Sequence, residues 1–194
     1  MKIGIFGGTF DPPHLGHLIL AEFVRDSLNL EQVWLAPALK PPHKTDQEVT
    51  PIKHRYRMVE LACGDDPFIK PSDIDITHNR QPSYTIDLLD NICHKYPEKD
   101  FILIIGTDSV VEFTTWERWE QILQNYYVVA VKRPNFEISR VSHKILKSIK
   151  ILDNPLIELS STKIRERIAN GHSVRYMVPE PVLIYILKEN IYSG

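Results

Sequence analysis

Three stretches of this chain, residues 2–6, 101–105 and 126–131, are nearly unbroken runs of apolar side chains. A strand with one wet face alternates apolar and polar residues, whereas a strand that is apolar throughout is buried on both faces. Two further strand-like runs lie at 32–36 and 149–152. Helical patterns occupy the intervals, at about 15–28, 51–63, 84–95, 117–123, 139–147, 162–169 and 180–189. Strands that alternate with helices imply βαβ units, so the expectation is an α/β fold around a mainly parallel sheet. The 194 residues suit a single domain, 1–194, with a small C-terminal helical portion at about 155–194.

Composition narrows the function classes. Hydrophobic content of 43% and charged content of 25% are ordinary for a globular protein, and no apolar run approaches the ~20 residues that cross a bilayer. The formal net charge of −2 argues against a general nucleic-acid surface while leaving room for a local basic pocket. Cys63 and Cys93 have no metal-ligand spacing and are expected to be reduced and buried. The N-terminus reaches glycine too early for a secretory apolar core, so a soluble, cytoplasmic protein is expected, with no membrane partner.

The first apolar run leads directly into Gly7-Gly-Thr-Phe-Asp-Pro-Pro-His-Leu-Gly-His17. This matches neither the dinucleotide pattern G-x-G-x-x-G nor the P-loop. Gly7 and Gly8 are read as the turn, Pro12 and Pro13 as its stiffeners, and His14 and His17 as imidazoles sharing one side of a helix start. Free backbone N–H groups beside two imidazoles, at the carboxyl end of a buried strand, suit a polyphosphate. Near the other end, Leu159-Ser-Ser-Thr-Lys-Ile-Arg165 offers Ser160 or Ser161 as an N-cap. Its basic first turn is unfavourable at a positive helix end unless an anion is bound.

The first of these segments resembles the G-x-F-x-P-x-H-x-G-H signature of the nucleotidyltransferase α/β-phosphodiesterase superfamily, whose HxGH element class I aminoacyl-tRNA synthetases share. The second resembles that superfamily's I-S-S-T-x-I-R motif, with Leu159 in place of isoleucine. The resemblance implies a Rossmann-like, doubly wound sheet. It also implies that His14, His17 and Arg165 carry the catalysis and that Ser161, Thr162 and Arg165 hold ATP phosphates.

Three further matches select a family. Gly106-Thr-Asp108, with Trp116 eight residues after the aspartate, resembles nicotinate mononucleotide adenylyltransferases, in which the tryptophan stacks on the pyridine ring. A pyridinium over indole is a favourable cation–π pair. Pro82-Ser-Tyr-Thr85 resembles the bacterial members' P-S-Y-T segment, which implies a helix N-terminus meeting the nicotinate carboxylate. Pro41-Pro-His-Lys44 and Arg133-Pro134 resemble the family's P-P-H-K and R-P elements.

The implied ATP site therefore adds Gly7, Gly8, Thr9, Phe10, Gly106, Asp108 and Arg133. The implied acceptor site comprises Lys44, Ser83, Tyr84, Thr85 and Trp116. Mg²⁺ is expected on substrate phosphates and waters, without direct protein ligands, and with Asp108 as an outer partner. A homodimer is expected from the same resemblance. Alternatives from the same superfamily are a pantetheine-phosphate or nicotinamide mononucleotide acceptor and a cytidylyltransferase. From another class, the alternative is a nucleotide sensor without catalysis.

Overall fold

The three continuous apolar runs lie side by side in one sheet. They are β1 (Lys2–Gly8), β4 (Asp100–Gly106) and β5 (Tyr127–Val131), flanked by β2 (Gln32–Pro37) and β3 (Ile69–Pro71) on one side and β6 (Ile149–Leu152) on the other. The computed structural model describes residues 1–40, 49–78, 82–134, 136, 137, 139 and 141–193, so Lys44 and His43 lie outside the described residues. The strand order is β3-β2-β1-β4-β5-β6 and every neighbouring pair is parallel. Phe6 in β1, for example, stands opposite Leu35 on one side and Ile104 on the other.

The helices are α1 (Leu15–Ser27), α2 (Ile52–Cys63), α3 (Ile74–His78), α4 (Thr85–Lys95), α5 (Thr107–Val111), α6 (Trp119–Asn125), α7 (His143–Ser148), α8 (Ser161–Ala169) and α9 (Glu180–Lys188), with a 3₁₀ turn at Phe113–Thr115. Strand alternation sorts the core into two layers. Ile3, Ile5, Leu103, Ile105, Val128 and Ala130 face Ile86, Leu89 and Ile92 of α4 and further residues up to Ile145 of α7. Phe6, Val33, Leu35, Ile104, Val129 and Val131 face Leu20, Ala21 and Val24 of α1 and Val59 and Cys63 of α2.

Several expectations need correction. β3 was not expected, because its sequence Ile69-Lys-Pro71 contains no apolar run; it forms by pairing with β2. No element was expected between 63 and 84, yet α3 lies there, with Ile74 and Asp75 buried. Gly106 is the N-cap of α5, and Asp108 lies inside its first turn. Cys63 is buried but Cys93 is only half-buried; both are free. Among the described residues, no helix is long and apolar enough to cross a membrane.

The C-terminal helices close a third cluster against the outer side of α2. Met58, fully buried, meets Ile164 of α8, Val174, Val178, and Val182 and Ile186 of α9. Met58 is thus the buried residue through which α2 joins the C-terminal cluster, with Leu61 and Ala62 packed beside it. Met58→Ala is expected to lower stability by about 2–5 kcal/mol through lost burial and a residual cavity. The measurement is urea unfolding; an unchanged midpoint would contradict this role.

Candidate active site

An open cleft of about 500 Å³ lies at the carboxyl ends of β1 and β4, where the strand order reverses direction. Such reversal points leave a crevice because neighbouring crossovers depart to opposite faces. Of the residues expected from sequence, Gly7, Gly8, Thr9, Phe10, His17, Gly106, Asp108, Arg133 and Ser161 line this cleft. So do Ser83, Tyr84, Thr85 and Trp116, which brings both expected half-sites to one cavity. His14, Thr162 and Arg165 are not part of the cleft wall.

Gly7 and Gly8 do not form the turn. They extend β1, pairing with Ala36 and Pro37, and a Cβ on Gly7 would meet no atom within 4 Å. The chain bends at Asp11 and Pro12, directly after Phe10, whose φ of +49° is strained for a bulky residue. Its buried ring holds that conformation, packed edge-on against Phe6 at 6.1 Å and His17 at 5.0 Å between centroids. His14 is the N-cap of α1, and its ring stacks on His17 at 3.7 Å. Gly16 permits this, since a Cβ there would sit 3.0 Å from His14 Nδ1. The His14 backbone N–H donates to His17 Nδ1 at 3.1 Å, so neutral His17 carries its proton on Nε2.

Helix α8 is docked onto the same loop. Ser160, its N-cap, accepts from the Lys163 N–H at 3.4 Å. The Ser161 hydroxyl donates to Pro12 O at 2.8 Å. Arg165 donates to Asp11 O at 2.8 Å and to Thr162 Oγ1 at 3.4 Å. The Asp11 carboxylate is itself buried, accepting from the Tyr192 hydroxyl at 2.5 Å and the Thr50 N–H at 3.2 Å.

On the side reached from α4, Ser83 is a fastener. Its hydroxyl accepts from the Lys40 N–H at 3.0 Å, and its own N–H donates to Lys40 O at 3.1 Å. Tyr84 is the N-cap of α4 and supplies no side-chain cap, which leaves first-turn N–H groups of this 11-residue helix uncapped at the cleft. Trp116 packs against Phe113 with centroids 5.0 Å apart, so the indole is braced where it meets the cleft.

A cytidylyltransferase-like family model matches residues 5–167. A protein of Exiguobacterium sibiricum, named probable nicotinate-nucleotide adenylyltransferase, is 42% identical over the full length of both chains. The chain belongs to this adenylyltransferase family. A similarly named protein of Geobacillus thermodenitrificans is 40% identical, covering 100% of this chain and 87% of the relative. Among solved structures, the Plasmodium falciparum nicotinic acid mononucleotide adenylyltransferase complexed with NaAD shares the fold. Its TM-score is 0.78 at 21% identity, covering 98% of this chain and 97% of that one.

In this member of the family, four polar residues that escaped the sequence reading shape the cleft. Asp75 lines it and accepts from the Leu39 N–H at 2.6 Å. Thr107 Oγ1 accepts from the Arg133 N–H at 2.9 Å, and Asn154 accepts from the Lys132 N–H at 2.6 Å, so the chain after β5 is held twice. Arg55, 2% exposed, donates to the carbonyls of Thr9, Ala38, Leu39 and Thr50. One signal was available for Arg55: it falls in helical phase with the buried Met58, Val59 and Cys63. Among the described residues, no three His, Cys, Asp or Glu side chains converge as a metal-ion site.

Burial and neighbouring charge disfavour the protonated form of both imidazoles. Burial, followed by the nearby Arg133 charge, lowers His14 from 6.5 to about 4. Burial, then His14 and Arg133, holds His17 well below its usual value. His14 Nδ1 and Arg133 Nε are buried without hydrogen-bond partners, the kind of unmet polar capacity an anionic ligand satisfies.

The linkage has a definite sign. Unfolded histidine takes up its proton near 6.5, whereas folded His14 does so only near 4. Protons therefore favour the unfolded chain between those values, and stability falls as pH is lowered through them, by about 1.4 kcal/mol per pH unit per histidine. The urea midpoint is expected to drop between pH 7 and pH 5. That drop should shrink in a His14→Asn/His17→Asn variant; an equal drop in the variant would refute the assignment.

Proposed function

We propose that the chain catalyses adenylyl transfer from ATP to nicotinate mononucleotide, forming nicotinate adenine dinucleotide and pyrophosphate in NAD biosynthesis. The observation that carries this reading is the convergence, in one cleft, of His17 with the Gly7–Phe10 segment and of Trp116 with the N-terminus of α4. The first group suits a triphosphate, and the second suits a cationic ring bearing a carboxylate. The relatives' names point to the same reaction.

The attacking atom is an oxygen of the mononucleotide phosphate, already mostly ionised near neutrality because a phosphomonoester's second pKa is about 6. It bonds to the α-phosphorus of ATP as the bond to the bridging oxygen of pyrophosphate breaks, and that electron pair departs with the pyrophosphate. No protein base and no covalent intermediate are needed. The work is alignment and stabilisation of charge on the leaving group. His17 suits the second task as a neutral donor, its Nε2–H fixed by the His14 N–H on Nδ1. An arriving anion favours the protonated imidazole, so binding itself raises the positive character of the pair. Arg133, with its unpartnered Nε, suits the triphosphate, and Arg165 and Ser161 fasten α8 to the Asp11–Pro12 turn beside it.

Mg²⁺ enters this reading as an ion carried by the triphosphate, where it neutralises charge. Asp108, one of the carboxylates that line the cleft, would be an outer partner to its waters. A Cβ on Gly106 would lie 2.1 Å from Asp108 Oδ1, so glycine is required for that carboxylate to fold back over the end of β4.

Pyrophosphate release with ATP and either nicotinate or nicotinamide mononucleotide tests the function. Turnover with the acid in preference to the amide is expected; silence with both would reject it. His17→Ala is expected to lower kcat at least about tenfold without unfolding. Trp116→Ala is expected to raise the mononucleotide KM about tenfold, as a stacking loss of about 1–2 kcal/mol predicts, with the ATP KM little changed. Equal shifts in both KM values would remove Trp116 from the acceptor half.

A further inference from the structure

We infer that Arg55 is a positioning residue that sets the spacing between the ATP half and the acceptor half of the cleft, an inference that rests on the adenylyl-transfer reading. Arg55 is 2% exposed, lies on α2, and is not part of the cleft wall. Its Nη1 donates simultaneously to Thr9 O at 2.9 Å and Ala38 O at 2.8 Å. Nη2 donates to Leu39 O at 3.1 Å, and Nε to Thr50 O at 2.8 Å.

The two carbonyls on Nη1 belong to different walls. Thr9 follows Gly8 on the side of His17 and lines the cleft. Ala38 also lines it, and two residues later Lys40 pairs through both its N–H and its carbonyl with Ser83, directly before Tyr84 and Thr85. The Leu39 N–H is held from the other direction by Asp75. Ala38–Lys40 is therefore gripped between Arg55 and the α3–α4 segment, and one rigid guanidinium joins it to the ATP loop.

Geometry separates this role from simple space filling. A guanidinium is a planar fork of five donors, and here all three of its nitrogens donate to carbonyls. Lysine would keep the positive charge near Asp11 but has one nitrogen on a flexible stem and cannot span the same set. Each nucleotide binds mainly one half, whereas in-line transfer and the joined product depend on the distance between halves. Small misplacements of that kind reduce turnover steeply.

The test compares wild type with Arg55→Lys in thermal unfolding, in kcat, and in affinity for three ligands: a non-hydrolysable ATP analogue, nicotinate mononucleotide, and nicotinate adenine dinucleotide. The expected result for the variant is kcat lower by at least about thirtyfold and dinucleotide affinity weaker by at least about tenfold, with each single-nucleotide affinity within about threefold. A kcat within threefold of wild type, or a parallel fall in all three affinities, overturns the inference. Should Arg55→Lys not fold, Arg55→Gln, which keeps amide donors without the guanidinium fork, is held to the same pattern and the same overturning results. A wild-type protein that makes no dinucleotide rejects the functional reading and this inference together; an active wild type with either overturning result rejects only the spacing role.

Discussion

The site depends on one constraint of parallel sheets: adjacent strands cannot be joined by hairpins, so each connection must cross a face. Right-handed crossovers place their helices on opposite faces depending on which way the chain moves along the sheet. Going from β1 through β2 to β3, the chain lays α1 and α2 on one face. Returning past β1 to β4, β5 and β6, it lays α4, α5, α6 and α7 on the other. At the β1/β4 border the crossovers depart in opposite senses, and the carboxyl ends of both strands open onto the cleft.

Loops around such a crevice lack the apolar contacts that hold the helices, and here buried polar groups take over. Arg55, Asp11, Thr107 and Asn154 are each nearly inaccessible, and each binds backbone groups distant in sequence. A buried guanidinium is unfavourable unless its donors are met, and burial does push Arg55 below its ordinary value. Four carbonyls meet those donors, and the Asp11 carboxylate offsets part of the charge. Asp11 in turn holds the Tyr192 hydroxyl, which burial and then the Asp11 charge raise above the usual phenol range, and so ties the C-terminal part to the loop after β1. Charge-assisted bonds of this kind are directional, which apolar packing is not. Directional bonds are what a site aligning two phosphates requires.

This division of labour explains what was legible in the sequence. The strands at 2–6, 101–105 and 126–131 announced themselves because burial on both faces demands unbroken apolar runs. β3 did not, since Lys70 and Pro71 in a three-residue edge strand carry no such pattern. Residues that line the cleft as part of a motif, such as His17, Thr85 and Trp116, were found because their spacing is local. Arg55 and Asp75 were not, because three of the four carbonyls that Arg55 binds lie 16–46 residues away and the Asp75 partner lies 36 away. Ser83 was read from its place beside Tyr84 and does line the cleft; its tie to the Lys40 N–H, 43 residues away, was not legible. The two glycines of the opening motif were assigned to a turn on general grounds, whereas they extend β1 and the bend at Asp11 and Pro12 follows a left-handed Phe10 whose ring packs against Phe6 and His17.

The charge state of the phosphate side follows from the same packing. Two imidazoles stacked at 3.7 Å, both buried and both near Arg133, cannot be cationic together in an empty site. The free protein therefore presents His17 as a neutral donor with a fixed tautomer and keeps its permanent positive charge on arginine. In the proposed reaction a triphosphate beside the pair would act in the opposite sense to burial and the Arg133 charge, which depress the histidines. Proton uptake and anion binding would then be two sides of one equilibrium, linked through groups already locked in place by the bend after Phe10 and the start of α1. The motif is thus a preorganised frame whose charge is completed by the ligand it receives.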